Sequence, residues 1–147
     1  MDLGLVLINV EAAVYHDGRY LVIVRGDEED HAAGMLAFPG GKLDFSVTSD
    51  VIERTVAREV EEETGAIVDE IMYVESHSFI APNDGTPVVD IVYLCHYVSG
   101  TPTISDPGEV AALRWMTVAE ILAEPASPPW MAPSLALVER KRRELGW

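Results

Sequence analysis

Two β-rich runs open the chain's periodic pattern, Val10 to Val14 and Tyr20 to Arg25, with His16-Asp17-Gly18-Arg19 between them. An Asp-Gly step at that place predicts a tight hairpin. Gly26 to Gly34 is polar and carries Asp27, Glu28, Glu29 and Asp30. Carboxylates that follow one another in sequence rarely converge, so this stretch reads as a solvated loop. Met35 to Phe38 is a short apolar run stopped by Pro39-Gly40-Gly41. From Asp50 to Thr64 the spacing turns helical, with Asp50 and Glu53 resembling a capping box and Gly65 in the place of a C-cap glycine.

The second half returns to β patterning. Ile67 to Val74, His77 to Ala81 and Val88 to Val98 read as strands, the last two joined by the turn-rich Pro82-Asn83-Asp84-Gly85-Thr86-Pro87. Leu113 to Met116 is a further short strand. Thr117-Val118-Ala119-Glu120 has the capping-box spacing of a short helix that the prolines from Pro125 end, and Ser134 to Leu145 forms the last helix. With no internal repeat and no linker, residues 1–147 are expected to form one domain. The order of elements predicts an α/β (α+β) sandwich, a mixed sheet flanked by helices.

Composition narrows the choices. At 147 residues and 48% apolar content the chain can bury a core, which excludes disorder. Its 25 acidic residues against 10 basic ones give a formal charge of −15, and four of those ten cluster at Arg140, Lys141, Arg142 and Arg143. Such a field repels long nucleic acids and anionic membranes, so an anionic ligand must meet a local cation. The basic cluster is read as complementing the end of its helix, or pairing with Glu139 and Glu144. Cys95 stands alone among Val92, Tyr93, Leu94 and Tyr97, as a buried strand residue in a reducing compartment would. The apolar run from Leu3 to Ile8 lacks a basic flank and is broken by Asn9 and Glu11, and no run approaches the roughly 20 residues of a membrane span. The expected setting is the cytoplasm.

One helix carries acids where its core face should be. At about 100° per residue, Ile52, Val56 and Val60 define the buried stripe, and Glu59 and Glu63 fall within about 20° of Ile52's direction. Glu62 lies beside them, while Arg54, Arg58 and Glu61 take the solvent side. A charged, solvated face with an Arg58–Glu62 i,i+4 pair is the bland alternative. The phase of Glu59 and Glu63 argues instead for a bound cation, since carboxylates in an apolar seam repel one another and resist desolvation. Hard divalent cations prefer such oxygen ligands. The preceding Pro39-Gly40-Gly41-Lys42 lets backbone come close to an ion or a phosphate.

Gly41 followed by Arg58-Glu59-Val60-Glu61-Glu62-Glu63-Thr64-Gly65-Ala66 resembles the box of the Nudix hydrolase family, Gx5Ex7REUxEExGU with U a bulky aliphatic. Gly41 to Arg58 spans 17 positions against 14 in that pattern, so about three residues are inserted within Phe45 to Ser49. Counting back from Arg58 puts the upstream glutamate on Asp50, a residue equally suited to capping the helix. The final aliphatic is the small Ala66. The resemblance implies an α/β/α sandwich with a mixed sheet and hydrolysis of a nucleoside diphosphate linked to a moiety X, such as a nucleoside triphosphate or ADP-ribose, by attack of water at phosphorus.

It also implies that Glu59, Glu62, Glu63 and the carbonyl of Gly40 hold Mg²⁺, with Mn²⁺ as an alternative, and that Arg58 orients the glutamates. Glu109, in Asp106-Pro107-Gly108-Glu109, is similar to a later acid that many members use. Glu59, Glu62 and Glu109 are then the candidates for general base. Arg25, Gly41 and Lys42 are the expected contacts to substrate phosphate. Pro82 resembles a downstream proline of ADP-ribose hydrolysing members, and a hairpin-turn proline beside Asn83-Asp84-Gly85 is the preferred reading of it. Homodimers are common in the family, and no residue here decides that. A Nudix-like module that senses a nucleotide without cleaving it is the alternative function. Outside the motif, Trp130 is expected to pack a loop against the core, and Phe79 and Tyr73 to be strand core. His16, His31, His77 and His96 show no metal-ligand spacing.

Overall fold

A computed structural model describes residues 4–29, 31–46 and 48–147. Leu3 in the opening apolar run, Asp30 in the acidic loop and Val47 in the inserted stretch lie outside the described residues. The elements are β1 (Leu7–His16), β2 (Arg19–Arg25), β3 (Leu36–Ala37), β4 (Gly40–Lys42), α1 (Val51–Thr64), β5 (Ile67–Ile80), β6 (Pro87–Ser99), β7 (Val110–Met116), α2 (Val118–Ala123) and α3 (Met131–Leu145). Among the described residues no helix is long and apolar enough to cross a membrane.

The strands form one mixed sheet in the order β3-β2-β1-β6-β5, with β4 also on β1 and β7 also on β2. The Asp17-Gly18 turn joins β1 to β2 with positive φ at both residues, 50° and 80°, as the twist of a two-residue hairpin demands. The hairpin then splits. Only Val14 to His16 of β1 pairs with β2, whereas Asn9 to Glu11 pairs with β4 and Ile23–Val24 of β2 pairs with β3. The segment Leu36 to Lys42 therefore fills the wedge between the diverging strands. There the amide of Ala12 donates to the carbonyl of Pro39 at 2.8 Å. On the far edge of β1, β6 runs parallel from Leu7↔Val88 to Tyr15↔His96.

Alternation along β1 divides two cores. Val10, Ala12 and Val14, with Leu21, pack against Val56 and Val60 of α1. Ala13, with Tyr20, Val22 and Leu94, packs against Ile121 of α2 and Met131, Leu135 and Val138 of α3. The result is the expected α/β/α sandwich. Cys95 is fully buried in it, as its neighbours predicted.

Three local expectations are corrected. The runs Ile67 to Val74 and His77 to Ala81 are one strand, because three register shifts against β6 and a left-handed Glu70 (φ 48°) absorb the polar residues between them. On this end strand of the sheet Ser76 is exposed, while Glu75 is partly buried against His77. Helix α3 starts at Met131 rather than Ser134, since Pro133 lies in the first turn, where no amide donor is needed. Asp50 does not cap α1 with its side chain. Its backbone is left-handed (φ 49°), not the extended conformation a side-chain cap uses, so the Asp50/Glu53 box is absent. The Thr117/Glu120 box does form, with both reciprocal hydrogen bonds.

Leu94 has no exposed surface and sits in the α3-side core. Leu94→Ala is expected to cost about 2–5 kcal/mol, and Thr117→Ala about 1 kcal/mol. Both should shift the urea midpoint without changing the slope.

Candidate active site

Helix α1 places its acids as its phase predicts. Val56, Val60 and Thr64 are buried, and the Glu59 side chain is 15% exposed against 57% for Glu62. Glu59 thus lies at the edge of the seam and Glu62 outside it. Two glycines make room beneath them. A β-carbon on Gly40 would strike the carbonyl of Val10, and one on Gly41 would strike the carboxylate of Glu59, 2.7 Å from its Oε1. The β4 backbone can lie against β1 at Gly40 and under Glu59 of α1 at Gly41 only because neither residue has a side chain.

Arg58 holds these acids in place. Its guanidinium meets Glu59 at 3.2 Å, Glu62 at 3.2 Å and Asp44 at 3.6 Å. The Glu62 pair is the i,i+4 contact read from the sequence, and Asp44 adds an anchor from the loop before the helix. Glu63 fares differently. Its Oε2 is buried with no hydrogen-bond partner. Burial first, and Glu59 next, push its carboxyl up to about 8, while the amide of Gly40 and the charge of Arg25 work the other way. Glu59 is also raised, by burial foremost and by Glu62 and Glu109, with Arg58 opposing.

Glu109 and Arg25 arrive from the opposite side. The carbonyl of Glu109 accepts from Gly26 N at 2.7 Å, and that of Gly108 accepts from Glu28 N at 3.1 Å. Gly26 and Gly108 touch so closely that a β-carbon on Gly26 would overlap the Gly108 carbonyl. This lock ties the loop before β7 to the end of β2 and brings Glu109 within the field of Glu59 and Glu63. Arg25 pairs with Glu29 at 2.9 Å and donates to the His31 carbonyl at 2.8 Å. Its charge bears on both Glu63 and Glu11. Lys42 is exposed on β4 and bears on Asp84 of the β5–β6 turn.

A carboxylate oxygen sealed from water without a donor is costly. Glu59 raises Glu63 and is itself raised by Glu62 and Glu109, and their ionised forms require positive charge beyond Arg58 and Arg25. A divalent cation with oxygen ligands fits that donor set.

The sheet face toward α3 holds a cavity of about 380 Å³ beside Arg25. Its lining includes Asn9, Glu11, His77, Phe79, Asp90 and Trp130. Strand register builds the polar part: Asn9 stands opposite Asp90 on β6, and Asp90 opposite His77 on β5. Asn9 Nδ2 donates to Asp90 Oδ1 at 2.7 Å, and His77 Nε2 lies 3.4 Å from Asp90 Oδ2. Enclosure first, then hydrogen bonding to Asp90, raises Glu11 well above the ordinary carboxylate range.

Glu11, His77 and Asp90 offer ligand atoms within 4.8 Å of one another, a group assembled across three strands that linear histidine spacing does not show. A second such group, Asp69, Glu70 and His96, lies elsewhere on the sheet. The signal for Asp90 was present: it alternates with buried Val88 and Val92, an acid in a core register. Trp130 is 43% exposed and stacks on His31 (5.7 Å, 19°) rather than packing a loop against the core. Phe79 (41% exposed) and Tyr73 are likewise exposed rather than core, because β5 has a neighbour on one edge only. The basic cluster pairs within its helix, Arg142 with Glu139 and Arg140 with Glu144.

Known proteins resemble this chain in the same terms. A family model for the NUDIX domain matches residues 7–138. The phosphatase NudJ of Escherichia coli (strain K12) is 26% identical over 137 residues, covering 92% of this chain and 85% of NudJ. A MutT NUDIX hydrolase from Burkholderia pseudomallei has a similar structure (TM-score 0.77, 31% identity), over 91% of this chain and 98% of its own. The NUDIX domain of Shewanella oneidensis NrtR, solved with ADP ribose, shares the fold (TM-score 0.69, 21% identity), over 99% and 90% respectively.

Two predictions follow from the buried acids. Glu63 keeps its proton to about pH 8 when folded against 4.5 ordinarily. Its stabilising contribution is therefore full below 4.5 and lost as pH rises through 8. In chelator, wild type should lose melting temperature relative to Glu63→Gln across that window, and Mg²⁺ should restore it; parallel curves would exclude Glu63 as the cause. Gly41→Ala should push the Glu59 side chain aside and strain the contact of β4 with α1, weakening divalent-cation affinity by about tenfold or more and lowering the melting temperature, as calorimetry and thermal unfolding would show.

Proposed function

The chain belongs to the Nudix family and is a Nudix-type hydrolase, and on that premise we propose that it is a Mg²⁺-dependent pyrophosphohydrolase of small nucleoside diphosphate-X substrates. The observation that carries this reading is Glu63, with a buried carboxylate oxygen lacking any partner, beside Glu59 in a space that Gly41 keeps clear. Glu59, Glu62, Glu63 and the carbonyl of Gly40 would hold Mg²⁺, with Mn²⁺ as a substitute. When bound, the cation neutralises diphosphate oxygens and lowers the pKa of a coordinated water.

The chain's own residues supply the rest. Arg58 fixes Glu59 and Glu62 and so presets the ligand geometry before substrate arrives. Those two carboxylates are engaged, which leaves Glu109 as the base: it is exposed, its charge bears on Glu59 and Glu63, and it has no ion-pair partner among the described residues. It accepts the proton of the attacking water. The water oxygen bonds to phosphorus as the bridging P–O bond breaks, and the leaving phosphate oxygen departs on X or on the nucleotide. Arg25, at the junction of the acids and the cavity, meets a phosphate oxygen.

Nucleoside triphosphates and ADP-ribose are the two substrate types considered, the second supported by the ADP ribose held in the NrtR domain. The charge of −15 disfavours long nucleic acids. The cytoplasm is the proposed setting. A non-cleaving nucleotide sensor is the second reading, and the complete set Glu59, Glu62 and Glu63 weighs against it.

Product release with Mg²⁺ should be measured across nucleoside triphosphates, ADP-ribose, dinucleoside polyphosphates and nucleotide sugars. Wild type should cleave one class, and Glu109→Gln should lower kcat by about 10²–10⁴-fold with Mg²⁺ affinity retained. Glu63→Gln should lose both activity and cation affinity. Equal inertness of wild type and Glu62→Gln across the panel would favour the sensor.

A further inference from the structure

Strand register gathers a second set of ligand atoms on the face of the sheet away from α1. Glu11 alternates along β1 with Val10 and Ala12, which pack toward α1, so its carboxylate lies on the α3 side. Asp90 stands on β6 between Asn9 of β1 and His77 of β5. The carboxylates of Glu11 and Asp90 and a ring nitrogen of His77 come within 4.8 Å of one another.

These groups are short of donors. The Asp90 side chain is 4% exposed, and Asn9 donates to its Oδ1. No amide or hydroxyl among the described residues donates to its Oδ2, which has His77 Nε2 at 3.4 Å. Glu11 adjoins Asp90 in the same enclosure, and two carboxyls that close do not both ionise unless a cation stands between them. The spacing suits such an ion: tetrahedral ligands at about 2.0–2.1 Å from a metal lie about 3.4 Å from one another.

The outer contacts are those of a metal-bound histidine. The second ring nitrogen of His77, Nδ1, lies 3.4 Å from Oε1 of Glu75, so a carboxylate orients the ring from behind. Asn9 does the same for Asp90. The cavity of about 380 Å³ adjoins all three groups and leaves space for water to complete the coordination. The group Asp69, Glu70 and His96 has no such support. Both its acids are exposed, and the His96 ring already pairs with Glu70 at 2.9 Å and lies against Trp147.

We propose that Glu11, His77 and Asp90 form a second metal site, separate from the glutamates of α1, for a first-row transition ion of the Zn²⁺ class. Glu59, Glu62 and Glu63 offer oxygen alone and suit a hard cation. The imidazole of His77 turns selectivity at the second site away from Mg²⁺. Glu75 and Asn9 are positioning residues there.

The test uses the full chain without an affinity tag, as the Glu59→Gln/Glu63→Gln variant, so that the acids of α1 do not compete. Titration with Co²⁺ should give a single saturable site with visible d–d bands, displaced by Zn²⁺ and untouched by excess Mg²⁺. Adding His77→Ala should abolish the bands, and Glu75→Gln should weaken Co²⁺ by about tenfold. The His77 side chain is 38% exposed, so its loss opens no core cavity. Should that variant still fail to fold, Glu75→Gln carries the test, because a merely structural role for Glu75 leaves Co²⁺ affinity unchanged. His96→Ala should change nothing. The absence of saturable Co²⁺ binding, bands that survive His77→Ala, displacement by Mg²⁺, or loss on His96→Ala would each overturn the proposal. None of these measurements involves diphosphate cleavage, so their outcome is independent of the hydrolase reading.

Discussion

The close approach of the Gly40-Gly41 backbone to its surroundings is the constraint on which the rest of this molecule depends. Gly40 lies against the carbonyl of Val10 and Gly41 against the carboxylate of Glu59, so the backbone occupies space that any side chain would need. That contact is made because β1 and β2 diverge after three paired positions and leave a wedge for the Leu36 to Lys42 segment. Widening the wedge would move α1 outward and with it the direction of Glu59 and Glu63. Packing and chemistry are thus one arrangement here: the same two missing side chains seat the helix and open the site.

Electrostatically, the molecule spends its negative charge unevenly. Most acids are solvated, and several pair with a basic neighbour, as Glu139 does with Arg142. Glu59, Glu63, Glu11 and Asp90 are the exceptions, drawn inward on both sides of β1. Arg25 sits where the two groups meet and is felt by Glu63 and Glu11 alike. One arginine therefore lies between the acids of α1 and the cavity on the other face of the sheet, and within the negative field that repels polymers it offers a positive spot to a small phosphate.

Much of this was legible in the residues because helical phase is local. Glu59 and Glu63 continue the line of Val56 and Val60 in any α-helix, and Gly65 ends that helix with φ 77° as a C-cap glycine does. The hairpin at Asp17-Gly18 and the Thr117/Glu120 cap are local for the same reason. What escaped is set by register. Asn9, His77 and Asp90 are far apart in sequence and become neighbours only when β1, β6 and β5 pair. Trp130 and Phe79 read as core because apolar residues usually are, and their exposure beside the cavity shows otherwise. Asp50 had a cap's chemistry and spacing, but its left-handed backbone turns that chemistry aside.

The stretch between β4 and α1 is tied at both ends. Asp44 reaches Arg58 at 3.6 Å and its amide donates to Thr55 Oγ1 at 3.3 Å, while the Asp50 carbonyl accepts from Arg54 N at 2.9 Å. With both ends clamped, the length between them is uncoupled from the geometry of the glutamates. Loop-closure entropy grows only with the logarithm of length, so three extra residues in a loop this short add roughly 0.4 kcal/mol. The length of this stretch can therefore change almost without thermodynamic consequence, leaving the geometry of the glutamates undisturbed.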